Sequence, residues 1–190
     1  MFIFVSGGVR SGKSAWAETL VDRLREKHSR CVYVATSLIT DEEMKERMRL
    51  HQVERERSSI RWKTIEQTRD LQHIVPDLTG DDIVLLDCAT NWLANELFIS
   101  NDKWANPAFQ SCVIQTMKQG VLAINERVDH VVIVSNDLFE GGVLQDPTFT
   151  YMKLLGSFHQ WLVQTADLAI AAEAGQLIVK KGSWNGWKIG

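Results

Sequence analysis

Four short stretches of the chain, Phe2–Ser6, Cys31–Ala35, Asp82–Asp87 and His130–Asn136, are apolar runs dominated by Val, Ile and Leu. They lack polar alternation, as strands of a parallel sheet covered on both faces do. Arg61–Ile65 and Leu168–Ala172 are weaker strand signals, and Gln176–Lys180, after the turn at Gly175, predicts a hairpin at the sheet edge. Amphipathic stretches lie between them. Lys13–Lys27 sets Trp16, Leu20 and Leu24 on one face. Asp41–Arg57 opens with Thr40 and Glu43 in the capping-box arrangement. Further helices are predicted at Gln67–Val75, Asn91–Ile99, Pro107–Asn125 and Pro147–Ala166. This alternation predicts right-handed crossovers and a three-layer α/β fold, with a mainly parallel central sheet and an antiparallel edge hairpin. No repeat, low-complexity tract or linker interrupts it, so residues 1–190 read as one domain. Residues 181–190 form a short tail whose Trp184 and Trp187 point to a packed segment or a subunit contact.

The strongest chemical signal follows the first strand. Gly7-Gly8-Val9-Arg10-Ser11-Gly12-Lys13-Ser14 carries the full phosphate-loop spacing, two glycines four residues apart and then Lys-Ser. The glycines let backbone N–H groups turn onto phosphate oxygens, and the helix N-terminus adds partial positive charge. Lys13 is expected to reach the β/γ-phosphates of a purine nucleoside triphosphate and the Ser14 hydroxyl to ligate Mg²⁺. A second metal partner should be a carboxylate ending another buried strand. Asp87 does so after Ile83-Val84-Leu85-Leu86, emerging at the carboxyl edge where α/β ligands bind. The alternative is that Asp87 merely caps the helix beginning near Thr90.

His51 sits late in the Asp41–Arg57 stretch, with Arg47 and Arg55 four residues to either side on the same helical face. Neighbouring cations favour the neutral imidazole and would hold a nucleotide phosphate beside it, the environment an attacking imidazole needs. A solvent-facing histidine in a charged helix has the same spacing. His28, His73, His130 and His159 show no metal-ligand spacing and read as structural or surface groups.

The remaining composition mainly excludes. A formal net charge of −3 argues against a nucleic-acid binder. No apolar run approaches the roughly 20 residues of a membrane span, and Met1–Val5 is too brief for a signal sequence. Cys31, Cys88 and Cys112 form no CxxC pair and read as thiols of a reducing compartment, which makes a cytoplasmic location the expectation.

Several segments together resemble the bifunctional adenosylcobinamide kinase / adenosylcobinamide-phosphate guanylyltransferase family of cobalamin biosynthesis. They are Ser6–Ser14; Tyr33-Val34-Ala35-Thr36-Ser37 with Asp41-Glu42-Glu43-Met44; Arg47 and His51; Arg61-Trp62-Lys63-Thr64 and Glu66; Leu85–Asn95; and Val131–Asn136. The resemblance implies a RecA-like P-loop NTPase fold and two reactions. The first is phosphorylation of adenosylcobinamide by ATP or GTP. The second is transfer of GMP from GTP to adenosylcobinamide phosphate through a guanylylated histidine, whose position His51 takes. Asp87 matches the acidic residue ending the family's Mg²⁺-site strand. A homo-oligomer is also implied, a trimer in the family's best-known form.

The segment after Asn136 departs from the family pattern. Asp137-Leu138-Phe139-Glu140-Gly141-Gly142-Val143-Leu144-Gln145 replaces a Glu-Val-Gly-x-Gly-Ile-Val-Pro run. The next helix carries Phe149, Tyr151, Met152 and Lys153 in place of an arginine-rich face. Gly156 and Gln160 are kept, while His159 stands at the family's asparagine position. Loss of those arginines leaves open a P-loop kinase without guanylyl transfer, or a catalytically silent nucleotide-binding protein.

Overall fold

The computed structural model describes residues 1–38, 42, 46, 49, 53, 55, 58–100, 102–138 and 146–183. Its strands are β1 (Phe2–Gly7), β2 (Arg30–Ala35), β3 (Trp62–Glu66), β4 (Asp82–Asp87), β5 (His130–Asn136), β6 (Leu168–Glu173) and β7 (Gln176–Lys181). They form one seven-stranded sheet in the order β3-β2-β4-β5-β1-β6-β7. Every pairing is parallel except β6 with β7, the antiparallel edge hairpin. The helices are α1 (Lys13–Leu24), α2 (Ala89–Leu97), α3 (Pro107–Arg127) and α4 (Thr148–Thr165). Between β2 and β3, the described residues Glu42, Glu46, Arg49, Val53 and Arg55 are helical.

The unalternated apolar strands are explained by burial on both sides of the sheet. Phe2, Phe4, Val84, Leu86, Val131 and Ile133 pack toward Trp92, Met117, Val121 and Phe158 of α2, α3 and α4. Ile3, Val5, Leu85, Val132 and Val134 pack toward Ala17, Leu20 and Val21 of α1. Burying each large aliphatic side chain contributes about 1.5–3 kcal/mol. The two layers thereby hold β1, β4 and β5 rigid at the centre, which is what a site at their carboxyl ends requires.

One predicted helix is corrected. Gln67–Val75 is not α-helical; a 3₁₀ segment spans Leu71–Asp77 instead. Gln67 N–H still bonds the Ala35 carbonyl, extending the β2–β3 edge. Asp70 adopts φ 48°, with its N–H given to Glu96 Oε1, and Pro76 can donate no helical hydrogen bond. α1 also ends early, at Leu24, where Arg25 turns to extended backbone. Cys31 and Cys88 are buried and Cys112 is exposed, all as free thiols. Thr40 and Glu43 of the expected capping box lie outside the described residues, as do Trp184 and Trp187.

Candidate nucleotide and metal site

The loop from Gly7 to Gly12 joins the carboxyl end of β1 to the amino end of α1, so Gly7, Gly8, Val9, Arg10, Ser11 and Gly12 occupy the strand–loop–helix setting that the spacing predicts. Two glycines are required by geometry. A Cβ at Gly7 would lie 2.5 Å from both the Ala172 carbonyl oxygen and Ser11 Oγ. Gly12 takes φ 85°, which side chains rarely adopt, as the residue just before α1. Val9 and Arg10 are exposed on the outer rim. Ser11 Oγ is buried and, among the described residues, has no hydrogen-bond partner. A buried hydroxyl left unpaired costs stability. In a loop of this shape, that capacity suits an incoming phosphate oxygen.

Lys13 is buried, and its Nζ donates to the Gly8 carbonyl at 3.1 Å, folding the side chain back over the loop. Burial pushes its ammonium below the ordinary lysine value, opposed by the negative charge of Asp87 and by Cys88. Ser14, half-buried, follows in the first turn of α1.

Asp87 ends β4, with β5 between it and β1, so its carboxylate and the phosphate loop share one edge of the sheet. It does not cap the following helix: α2 has Cys88 as its N-cap residue, with no side-chain cap. Asp87 Oδ2 instead accepts the Tyr33 hydroxyl at 2.9 Å. Burial first, and then the neighbouring Asp87 charge, raise the Tyr33 phenol well above its ordinary value, so it stays a donor. Among the described residues no cluster of three His, Cys, Asp or Glu side chains could hold a metal. A Mg²⁺ held by one carboxylate, a hydroxyl and substrate phosphates needs no such cluster.

Arg55 lies with its guanidinium carbon 3.8 Å from the centre of the Tyr33 ring. Sequence spacing sets it beside His51; the structure sets it against the residue that reaches Asp87. His51 and Arg47 lie outside the described residues. Lys13, Ser14 and Asp87 thus lie at one edge, with Arg55 joined to them through Tyr33.

Several polar residues around this edge carry no motif of their own. Thr36 is fully buried; its Oγ1 donates to the Cys88 carbonyl and accepts from the Cys88 N–H, each at 2.8 Å, clamping the chain just after Asp87. Asn95 Nδ2 reaches the carbonyls of Thr36 and Thr68, and Asn91 Nδ2 reaches Ser37 Oγ. Their one sequence signal is membership of the Tyr33–Ser37 and Leu85–Asn95 segments. On the same helix, Thr90 Oγ1 accepts the Asn136 N–H and bonds Ser135 Oγ at 2.9 Å. Ser135 Oγ in turn bonds His159 Nε2 at 2.7 Å. Burial pushes the His159 imidazole down to about 4, so it is neutral at physiological pH. His159 also borders a cleft of about 630 Å³ with Phe4, Ser6, Gly156, Gln160, Val163 and Gln164, a lining without charge.

Residues 3–179 match the sequence family described as cobinamide kinase / cobinamide phosphate guanyltransferase. Two relatives carry the description bifunctional adenosylcobalamin biosynthesis protein CobU. The one from Escherichia coli K12 is 30% identical over 174 residues, covering 88% of this chain and 92% of the relative. The one from Salmonella typhimurium LT2 is 32% identical with the same coverage. Among solved structures, an ATPase domain superposes with a TM-score of 0.51 at 14% identity, over 95% of this chain and 76% of that one, a likeness of P-loop fold alone. Among the described residues no helix is long and apolar enough to cross a membrane. With the match spanning nearly its whole length, the chain belongs to the cobinamide kinase / cobinamide phosphate guanyltransferase family of adenosylcobalamin biosynthesis.

Proposed function

We propose that this protein phosphorylates adenosylcobinamide with ATP or GTP, and then transfers GMP from GTP to adenosylcobinamide phosphate through a guanylyl-histidine at His51. The observation that most supports a working nucleotide site is the meeting of Lys13, Asp87 and the Ser11 hydroxyl, unpaired among the described residues, at one sheet edge.

In the kinase step, the loop N–H groups and Lys13 hold the phosphates in line with the acceptor hydroxyl. Phosphoryl transfer depends on such positioning and charge stabilisation more than on a strong base. Ser14 and Asp87 would hold Mg²⁺. When bound, the ion neutralises charge on the phosphate oxygens. In the guanylyl step, a His51 ring nitrogen attacks the α-phosphorus. The P–N bond forms as the bond to the bridging oxygen breaks, and pyrophosphate leaves. A phosphate oxygen of adenosylcobinamide phosphate then attacks the same phosphorus. The P–N bond breaks, adenosylcobinamide-GDP forms, and free His51 is restored. Arg47 and Arg55 supply positive charge on the same stretch of sequence.

A kinase without the guanylyl step has one observation in its favour. Where the family carries arginines, Phe149 is exposed and Tyr151 spends its hydroxyl on the Thr90 carbonyl. Incubation with Mg²⁺ and α-³²P-GTP, followed by denaturation, separates the two. Acid-labile, base-stable label on the chain, absent from His51→Ala, is the expected result. No label while GTP still binds leaves a P-loop kinase without the guanylyl step or a silent nucleotide binder. Homo-oligomerisation, as a trimer, is proposed on the family resemblance and is read by sedimentation equilibrium.

A further inference from the structure

We infer that Tyr33 is a positioning residue of the metal-binding end of the site, fixing the rotamer of Asp87 and being itself fixed by Arg55. The inference rests on the reading of Asp87 as a Mg²⁺ ligand.

Tyr33 is held from several directions. β2 is paired on both sides, with β3 and with β4, so its backbone is fixed in the sheet interior. The residue is 6% exposed. The Trp62 ring meets it edge-on at 5.9 Å and 77°, and the Arg55 guanidinium covers it at 3.8 Å. A cation at that distance over an aromatic face is attracted by the ring quadrupole. A ring so confined can aim its hydroxyl in few directions, and here it donates to Asp87 Oδ2 at 2.9 Å. Among the described residues no donor reaches Oδ1. Among these residues the carboxylate is therefore tethered through one oxygen, with the other left for a ligand. Partners of a ligand that orient it in this way typically change metal affinity by about 10–100-fold when removed. Arg55 lies four residues after His51 in sequence. Tyr33 thus stands between Asp87 and Arg55, touching both.

The test measures affinity for a non-hydrolysable GTP analogue by calorimetry, in saturating Mg²⁺ and in EDTA, so that no turnover is involved. Tyr33→Phe keeps the ring and removes the hydroxyl. Its affinity in Mg²⁺ should fall about tenfold, while its affinity in EDTA and its thermal midpoint stay at wild-type values. Asp87→Asn should lose the Mg²⁺ advantage at least as fully. A full Mg²⁺ advantage in Tyr33→Phe, together with its loss in Asp87→Asn, overturns the Tyr33 inference and leaves the Asp87 reading standing. A full advantage in both variants overturns the Asp87 reading itself. An equal loss by Tyr33→Phe in Mg²⁺ and in EDTA makes Tyr33 structural only and also overturns the inference.

Discussion

Strand β4 begins and ends with an aspartate, and the two carboxylates have opposite surroundings. Asp82 at the amino end is fully buried. It accepts Arg30 Nε and Nη2 at 2.6 Å each, the Thr79 N–H at 2.8 Å and the Thr79 hydroxyl at 3.1 Å. Both of its oxygens are committed. Among the described residues Asp87 at the carboxyl end accepts one hydroxyl, from Tyr33, and its charge is near enough to act on Lys13. A carboxylate saturated by its own protein holds strands together, because a buried charge must be paired. One left with spare lone pairs beside a cation and a phosphate loop is equipped for a ligand. Type and burial pattern alone do not separate them, since each is an acid bounding the same apolar run.

The largest expected effect is at the carboxyl end. Lys13→Met keeps the buried stem and removes the ammonium. Steady-state kinetics should show kcat lower by on the order of 10²–10³-fold, the usual cost of one charge-stabilising donor. Its thermal midpoint should stay near wild type.

At the amino end the effect is on stability and not on turnover. Arg30→Met leaves Asp82 buried with only the Thr79 donors. Breaking a fully buried pair costs about 3–5 kcal/mol, and with the Arg30 side chain 39% exposed about 2 kcal/mol is the discounted expectation. Denaturant unfolding measures it, and nucleotide affinity should be unchanged.

A smaller effect distinguishes the same end by pH. Burial works to raise the Asp82 carboxyl, but Arg30 and the Thr79 hydrogen bonds outweigh it and hold the group below the ordinary aspartate value. A depressed folded value means stability that is present above the unfolded value, about 3.9, and is lost as pH falls through the folded one. Unfolding free energy measured between pH 5 and acid should therefore fall less steeply in Arg30→Met. The smallest effect belongs to Ser11→Ala. Its hydroxyl has no partner among the described residues, so stability should hold or rise slightly. Nucleotide affinity should drop by about 0.5–1.5 kcal/mol, the worth of one hydrogen bond.

The contrast between the two ends also marks what could be seen in the sequence. The phosphate loop was legible because strand, loop and helix follow one another within Phe2–Leu24. Asp87 was legible as an acid ending an apolar run, but not as a partner of Tyr33, which lies 54 residues away. That pairing depends on β2 lying beside β4, and strand order is set by crossovers that local patterning does not encode. Arg55 illustrates the same limit, since helical spacing relates it to His51 while the described contact is with a strand residue. The missing helix at Gln67–Val75 has a tertiary cause too, as Glu96 Oε1 takes the Asp70 N–H from another element. His159, read as a structural or surface group, is buried on the helix that packs with α2 and α3, and tied to Ser135.

If the carboxyl end of β4 and the phosphate loop form one catalytic site, the two reactions share Asp87. Purified protein given adenosylcobinamide, Mg²⁺ and GTP should yield first adenosylcobinamide phosphate and then adenosylcobinamide-GDP, resolved by mass spectrometry. Asp87→Asn, folded and run in parallel, should form the first product at no more than about a hundredth of the wild-type rate. Wild-type rates in Asp87→Asn, or no product from wild-type protein that binds GTP, would contradict it.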